Sequence, residues 1–485
     1  MKRKQLSSST DEDSAAGSSS LPGSGEICSA HSFQDDFEVS SIRSNLLGWY
    51  DENKRDLPWR KCSHNDVNRR LYEVWVSEIM CQQTQVGTVI NYYNKWIKKW
   101  PTVERLAKAS VDQVIEAWAG LGYYSRGRRL LEGSQVVMND LDGKIPHSSA
   151  ELMKRIPGVG RYTACAIASI SCKEPVGVVD GNVIRVLSRM RCIGADTSQP
   201  ATMEYLWSLA NNLVDHERPG DFNQSVMELG ATVCTPKNPA CSTCPVSGYC
   251  MAYKKVEREK KLSEERLSGK TPDENENVKD IEDTASCSMC LPSSEPWDKA
   301  QGVMNFPRKA KKKPPREQKN GVCLVQKMTN DGHIKYLMVQ RPEKGLLASM
   351  WEFPSVEISP DCTETKRREE EEQYLNLLGV KVQKINQRSS LGDIVHIFSH
   401  IRQTYEIDLV VALEDDITES EPETDQNMKW VTSKEMEDMG ISTAMKKVFG
   451  AIDGSTTNKN KRRKQDEKNQ PKLDRFFKRK TPSKT

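Results

Sequence analysis

The chain has 485 residues, 36% hydrophobic and 29% charged, which is enough for two or three domains with part of the length too polar to fold. No run approaches the ~18 apolar residues of a membrane helix, so a helical membrane span is excluded. Net charge is only +3, yet Lys459–Thr485 holds twelve Lys/Arg against three Asp/Glu, a basic tail of the kind that meets nucleic acid or carries a nuclear import signal.

In chain order, residues 1–40 read as a disordered segment, basic and then polar, with no secretory apolar stretch behind it. It carries the short pair Cys28-x2-His31. Helical periodicity from residue 41 to about 255 predicts an all-α domain. In it, Leu71–Met80 places apolar residues at 72, 75, 76 and 79, with Glu78 at the edge of that face. The helical neighbours of Glu78 are Val74, Trp75, Cys81 and Gln82. None is cationic, so no ion pair within the helix holds the charge. A partly desolvated carboxylate of this kind keeps its proton to higher pH, which suits a general acid. From spacing alone, an ordinary surface glutamate fits better.

Ile156-Pro157-Gly158-Val159-Gly160-Arg161-Tyr162 follows, then the apolar run Val176–Val179 and Asp180-Gly181-Asn182. Gly158 and Gly160 let the backbone approach a phosphate closely, and the helix opening at Arg161 points its first amides there. Asp180 reads as the N-cap of the helix beginning near Asn182. Cys234, Cys241, Cys244 and Cys250 then fall within seventeen residues. Fourteen cysteines without an export signal favour metal over disulfides, and a single C-x2-C knuckle fits a zinc ribbon poorly.

Residues 256–319 read as a connector. Glu257–Asp283 is charged and of low complexity, Cys287-x2-Cys290 forms a second short pair, and the basic run Arg308–Arg316 closes it. Alternating apolar segments at Val322–Val325, Tyr336–Gln340, Ile394–Ser399 and Tyr405–Leu413 predict an α+β domain over 320–452. The acidic run Arg368–Glu372 reads as a solvated helix face. Residues 453–485 form a basic tail. Its two adjacent aromatics, in Gln470-x2-Leu473-x2-Phe476-Phe477, have no core to join, which points to a partner surface.

The segment 152–193 resembles the helix-hairpin-helix DNA glycosylases of the endonuclease III superfamily. Val74–Val86 (VWVSEIMCQQTQV), Gly120–Arg126 and Phe222–Gly230 resemble the adenine DNA glycosylases in particular, and the match covers nearly all of Leu46–Cys250. Val339–Pro342 and Gly345–Pro354 resemble a Nudix-type domain without its hydrolytic box.

These resemblances imply removal of adenine opposite 8-oxoguanine or guanine in double-stranded DNA, by a monomer. Glu78 would be the acid, and Asp180 would stabilise the sugar cation with Tyr162 and Asn182 in support. Trp59, Arg60 and Glu228 would line the adenine pocket. Gln83 and Tyr123 would wedge into the duplex, with Gly158 and Gly160 on its backbone. Phe398, Ser399 and His400 would read 8-oxoguanine. Bifunctional relatives place a lysine where this chain has Tyr162, so no Schiff base forms and the chain leaves an abasic site. Cys234, Cys241, Cys244 and Cys250 would hold a [4Fe–4S] cluster.

Animal relatives are similar in holding a zinc site in the connector, which serves partner docking for an AP endonuclease and the checkpoint clamp. Cys28, His31, Cys287 and Cys290 supply four zinc ligands. Gln470, Leu473, Phe476 and Phe477 match the box that binds the sliding clamp PCNA, and Lys461–Lys464 reads as nuclear localisation, with a mitochondrial isoform left open. The competing readings are a thymine glycosylase acting opposite guanine, which lacks the second domain, and a catalytically silent damage-binding scaffold.

Overall fold

A computed structural model describes residues 27–61, 66–267, 287–308, 314–343, 345–398, 400–437 and 439–452. The helices run α1 (Asp36–Asn53), α2 (Val67–Cys81), α3 (Val86–Lys99), α4 (Val103–Ala107), α5 (Val111–Trp118), α6 (Ser125–Asp140), α7 (Ser149–Arg155), α8 (Arg161–Cys172), α9 (Gly181–Met190), α10 (Pro200–Leu213), α11 (Pro219–Thr232) and α12 (Met251–Leu267). Two compact units divide the chain: 1–55 with 175–310, and 56–174 with 311–485. The span 41–255, expected to be one helical domain, contributes to both. Among the described residues no helix is long and apolar enough to cross a membrane.

In the first unit α1 begins at Asp36 rather than at residue 41. The Asp35 carboxylate accepts from the Glu38 N–H, and acidic Asp36 and Glu38 suit a helix N-terminus. Those same charges gave the first turn the look of a polar leader. Ile42, Leu46 and Tyr50 then bury the inner face at helical spacing. At the other end α12 runs to Leu267, well into the stretch read as a linker. Ion pairs one turn apart, Lys260–Glu257 at 2.7 Å and Lys261–Glu265 at 3.9 Å, suit the charged sequence to a helix.

The second unit pairs α2–α8 with a sheet. Leu71, Trp75, Ile79, Trp96, Trp118 and Ile167 form one buried cluster. The sheet strands are β1 (Arg316–Met328), β2 (Ile334–Gln340), β3 (Trp351–Glu352) and β4 (Ser355–Glu357). After α13 (Glu364–Leu377) come β5 (Val380–Val382), β6 (Gln387–Ile397), β7 (Ile401–Leu413), β8 (Ile417–Glu419) and β9 (Met428–Val431), then α14 (Ser433–Glu437) and α15 (Thr443–Phe449). The main sheet has the order β3-β2-β1-β7-β6, with β4 on β1 and β9 on β2, while β5 and β8 pair separately. Only β1 and β7 run parallel among its described pairs.

Successive side chains alternate between the sheet's two faces. Val322 and Leu324 therefore join Ala444, Met445 and Val448 of α15 on one face, and Cys323 and Val325 join Leu375 and Leu378 at α13 on the other. The four apolar segments predicted from sequence lie mainly in β1, β2, β6 and β7. The remaining strands are two to four residues long, too short for a period of two to register.

Candidate active site and metal centres

Glu78 sits on α2, half-buried, with Val74, Trp75 and Ile79 anchoring the helix beneath it. α8 packs against α2 and carries Tyr162, whose hydroxyl donates to Glu78 Oε2 at 2.7 Å. Nearby, Gln82 Nε2 donates to Thr163 Oγ1 at 3.2 Å. The approach to α8 is the predicted hairpin: α7 ends at Arg155, Gly158 adopts φ +78, and Gly160 caps α8. A Cβ on Gly158 would also stand 2.6 Å from Arg129 Cδ, so the turn requires glycine.

Asp180 is the N-cap of α9. Its Oδ1 accepts from the Asn182 N–H at 2.9 Å and the Val183 N–H at 2.8 Å, and its Oδ2 accepts from Asn182 Nδ2 at 2.9 Å. Burial nevertheless outweighs these three bonds and pushes the carboxyl above the ordinary aspartate range. Asn182 is held in turn by Arg185, whose Nη2 donates to Asn182 Oδ1 at 2.8 Å and to Gly230 O at 2.6 Å. Gly230 of α11 lies directly against Asn182, where a Cβ would come within 2.7 Å of the asparagine Cβ.

Gln83 and Tyr123 both occupy the left-handed backbone region, at φ +53 and +48, and Tyr123 is 50% exposed. Residues of this kind rarely adopt that conformation without external support. The support is Arg126, which is buried. Its guanidinium donates to the carbonyls of Ile79 at 3.0 Å, Met80 at 2.9 Å and Gly122 at 2.9 Å, and also to that of Gln82. One side chain thus ties the end of α2 to the loop before α6. Desolvation pulls its pKa down to about 10, still a cation at neutral pH.

Cys234, Cys241, Cys244 and Cys250 line one cavity, walled by Val186, Leu229, Val246 and Val303. Burial pushes the Cys244 thiol up to about 11 and Cys250 up to about 12. Buried Arg189 donates to Cys234 Sγ at 3.4 Å, and Arg185 donates to the Cys234 carbonyl at 2.7 Å. Four soft donors beside a buried guanidinium fit an anionic metal–sulfur group.

A second group of four residues could hold a metal ion. The donor atoms of Cys28, His31, Cys287 and Cys290 all lie within 4.8 Å of one another. His31 Nε2 is 3.2 Å from Cys290 Sγ, and Cys28 Sγ is 4.0 Å from Cys290 Sγ. The other ring nitrogen, Nδ1, donates to the Arg191 carbonyl at 2.7 Å, which leaves the Nε2 lone pair facing the sulfurs. His31 is fully buried, so its segment is packed rather than loose.

The family model for HhH-GPD superfamily base excision DNA repair proteins matches residues 76–212, and that for the NUDIX domain matches 322–451. The iron–sulfur binding domain of endonuclease III matches residues 234–250. The adenine DNA glycosylase of Homo sapiens is 49% identical over 431 residues, covering 88% of this chain and 77% of that protein. The chain belongs to the adenine DNA glycosylases. The enzyme of that name from Rattus norvegicus is 46% identical over 477 residues, 93% of this chain and 88% of its own. The one from Schizosaccharomyces pombe is 37% identical over 431 residues, 85% and 89% respectively.

Within this adenine DNA glycosylase chain the remaining expected residues are placed as follows. Trp59 is half-buried, edge-on to Tyr93 at 5.2 Å, and packs on the helical core; Arg60 is half-buried beside it in the chain. Glu228 is buried in α11 and takes a bidentate grip from Arg55, at 2.5 and 3.1 Å. Phe398 and His400 flank the tip of the β6–β7 hairpin, while Ser399 lies outside the described residues, as do Gln470, Leu473, Phe476 and Phe477.

A further expectation is corrected here. Glu371, read as part of a solvated helix face, is buried, bonded to Arg367 at 3.0 Å and Arg388 at 2.9 Å. Burial still pushes it up to about 7. Asp408 beside it takes bonds from Arg367, Arg368 and Arg388, so three guanidiniums surround two buried carboxylates. Arg126 and Arg185 had no assigned role in the sequence reading. Their work is to bond carbonyls from other segments, and only Arg185, three residues after Asn182 on one helix face, leaves a local trace.

Proposed function

We propose that this chain is a monofunctional glycosylase that excises adenine paired with 8-oxoguanine, leaving an abasic site. The observation that carries the reading is the Tyr162–Glu78 hydrogen bond of 2.7 Å. Where bifunctional relatives hold an amine, this chain holds a phenol, bonded to the carboxyl that serves as acid.

The target base leaves the duplex first, with Gln83 and Tyr123 as wedges. Glu78 donates a proton to a ring nitrogen of adenine, and the N-glycosidic bond breaks with its electron pair going to the departing base. The sugar becomes oxocarbenium-like. Asp180, pre-oriented by Asn182 and the first amides of α9, stabilises that cation electrostatically. Water adds at the sugar carbon and gives up a proton, which returns Glu78 to its acid form, in the logic of two-carboxylate glycoside hydrolysis. The family resemblance assigns Trp59 and Arg60 of the second unit and Glu228 of the first to adenine recognition, with Glu228 fixed by Arg55.

The test is base release from four duplexes carrying adenine or thymine opposite guanine or 8-oxoguanine. Adenine opposite 8-oxoguanine is expected to react fastest. Faster thymine release opposite guanine would sink the reading.

Cys234, Cys241, Cys244 and Cys250 would hold a [4Fe–4S] cluster, whose bonds would fold this loop in place of a core. Cys28, His31, Cys287 and Cys290 would hold zinc. A tetrahedral zinc with bonds of about 2.3 Å to sulfur sets its thiolates about 3.8 Å apart. The observed 4.0 Å between Cys28 and Cys290 supports this. The ion would pin the first residues and the connector to the first unit. Elemental analysis is expected to give about four iron and one zinc per chain. In Cys287→Ser/Cys290→Ser the zinc should disappear while iron stays. Zinc that survives both changes would place the ion elsewhere. The tail motif Gln470–Phe477 supports docking on a sliding clamp, and Lys461–Lys464 supports nuclear import.

A further inference from the structure

Two residues before Phe398, near the end of β6, stands His396. Side chains two apart in a strand share a face, so His396 and Phe398 point the same way and Ile397, 66% exposed, points the other. The imidazole meets the Phe398 ring edge-on, centroids 4.6 Å apart at 68°. Phe398 also packs against the buried cluster that includes Met445 and Val448 of α15. From the same helix Lys447 brings Nζ to 3.3 Å from His396 Nδ1. An ammonium has only protons to give, so Nδ1 is the acceptor and the ring proton sits on Nε2. A backbone bond from Phe398 N–H to Ile401 O at 2.8 Å closes the turn, and one from Arg316 N–H of β1 to His400 O at 2.9 Å ties it to the neighbouring strand.

We propose that His396 is a positioning residue for damage recognition: clamped by Lys447, it sets the ring of Phe398 in the one orientation that meets 8-oxoguanine. The proposal rests on the loop's role in reading 8-oxoguanine. A half-buried phenyl ring at a hairpin tip gains selectivity only if its rotamer is locked before the damaged base arrives. The imidazole and the α15 cluster together supply that lock, and no contact of His396 with DNA is needed.

The experiment is single-turnover adenine release by the full chain from duplexes with adenine opposite 8-oxoguanine and opposite guanine. Phe398→Ala is expected to lower the preference for 8-oxoguanine. His396→Ala should lower it by roughly three- to tenfold, the worth of an aromatic pair, with the melting temperature within about 4 °C of wild type. The double variant should lose little more than Phe398→Ala alone, because the two act as one unit. Lys447→Met should give a partial loss and Lys447→Arg should restore the preference. If Phe398→Ala changes nothing, the loop's role falls and the proposal with it. If Phe398→Ala lowers the preference but His396→Ala does not, or the two losses multiply, the loop's role stands and the positioning role of His396 is overturned.

Discussion

Glu78→Gln is expected to lose adenine release by a factor of about 10² to 10⁴, the usual worth of a general acid, while duplex binding stays near wild type. The glutamine keeps the carbonyl that accepts from the Tyr162 hydroxyl, so the contact between α2 and α8 survives. What it lacks is a transferable proton. Binding persists because the grip assigned to the backbone of Gly158–Arg161 does not involve this side chain. Release followed under single turnover, beside a binding titration on the same duplex, separates the two. Near-normal release by the variant would remove Glu78 from the acid role.

Asp180→Asn is expected to be as damaging to chemistry and almost neutral to the fold. Losing a pre-oriented charge at a developing ion costs about 10²- to 10³-fold. Asparagine caps helices as well as aspartate does, and its carbonyl can accept the Asn182 and Val183 amides. The bond from Asn182 Nδ2 is forfeited, at about 1 kcal/mol. Against this stands the raised pKa of Asp180, which burial produces despite its hydrogen bonds. A folded state that holds the proton more tightly than the unfolded chain is favoured most below the unfolded value of about 3.9. That contribution is lost as pH rises through the raised folded value, so once ionised the buried charge opposes folding. Removing it offsets the lost bond, and the melting temperature should stay within about 4 °C. A folded but inactive variant is the expected result. Unfolding would make Asp180 a structural cap first.

The most legible parts of this chain were those whose chemistry is written in local spacing. The glycine hairpin, the cysteines from Cys234 to Cys250 and the N-cap at Asp180 each fall within a short window, and each is found where its spacing implied. The pairing of Cys28-x2-His31 with Cys287-x2-Cys290 was legible for a different reason: two half-sites each lacked ligands that the other could supply. Arg126 was illegible because its partners are carbonyls of residues 79, 80, 82 and 122, and backbone acceptors leave no mark in a sequence. The meeting of Tyr162 with Glu78 depends on how α8 packs on α2, which periodicity does not encode. Glu371 misled because a run of acids reads as solvated, and one of its two guanidinium partners, Arg388, comes from a strand 17 residues away. The start of α1 was missed because the charges that suit a helix N-terminus are also those of a polar leader.

The central claim is that this chain breaks the glycosidic bond of adenine by acid catalysis without an amine. It is tested most directly on one end-labelled duplex carrying adenine opposite 8-oxoguanine, treated with the chain and divided in three. Alkali should reveal a strand break at the adenine, the untreated portion should remain intact, and borohydride should trap almost no covalent adduct. A break without alkali, together with an adduct trapped at neutral pH, would mean that an amine attacks the sugar and would contradict the account.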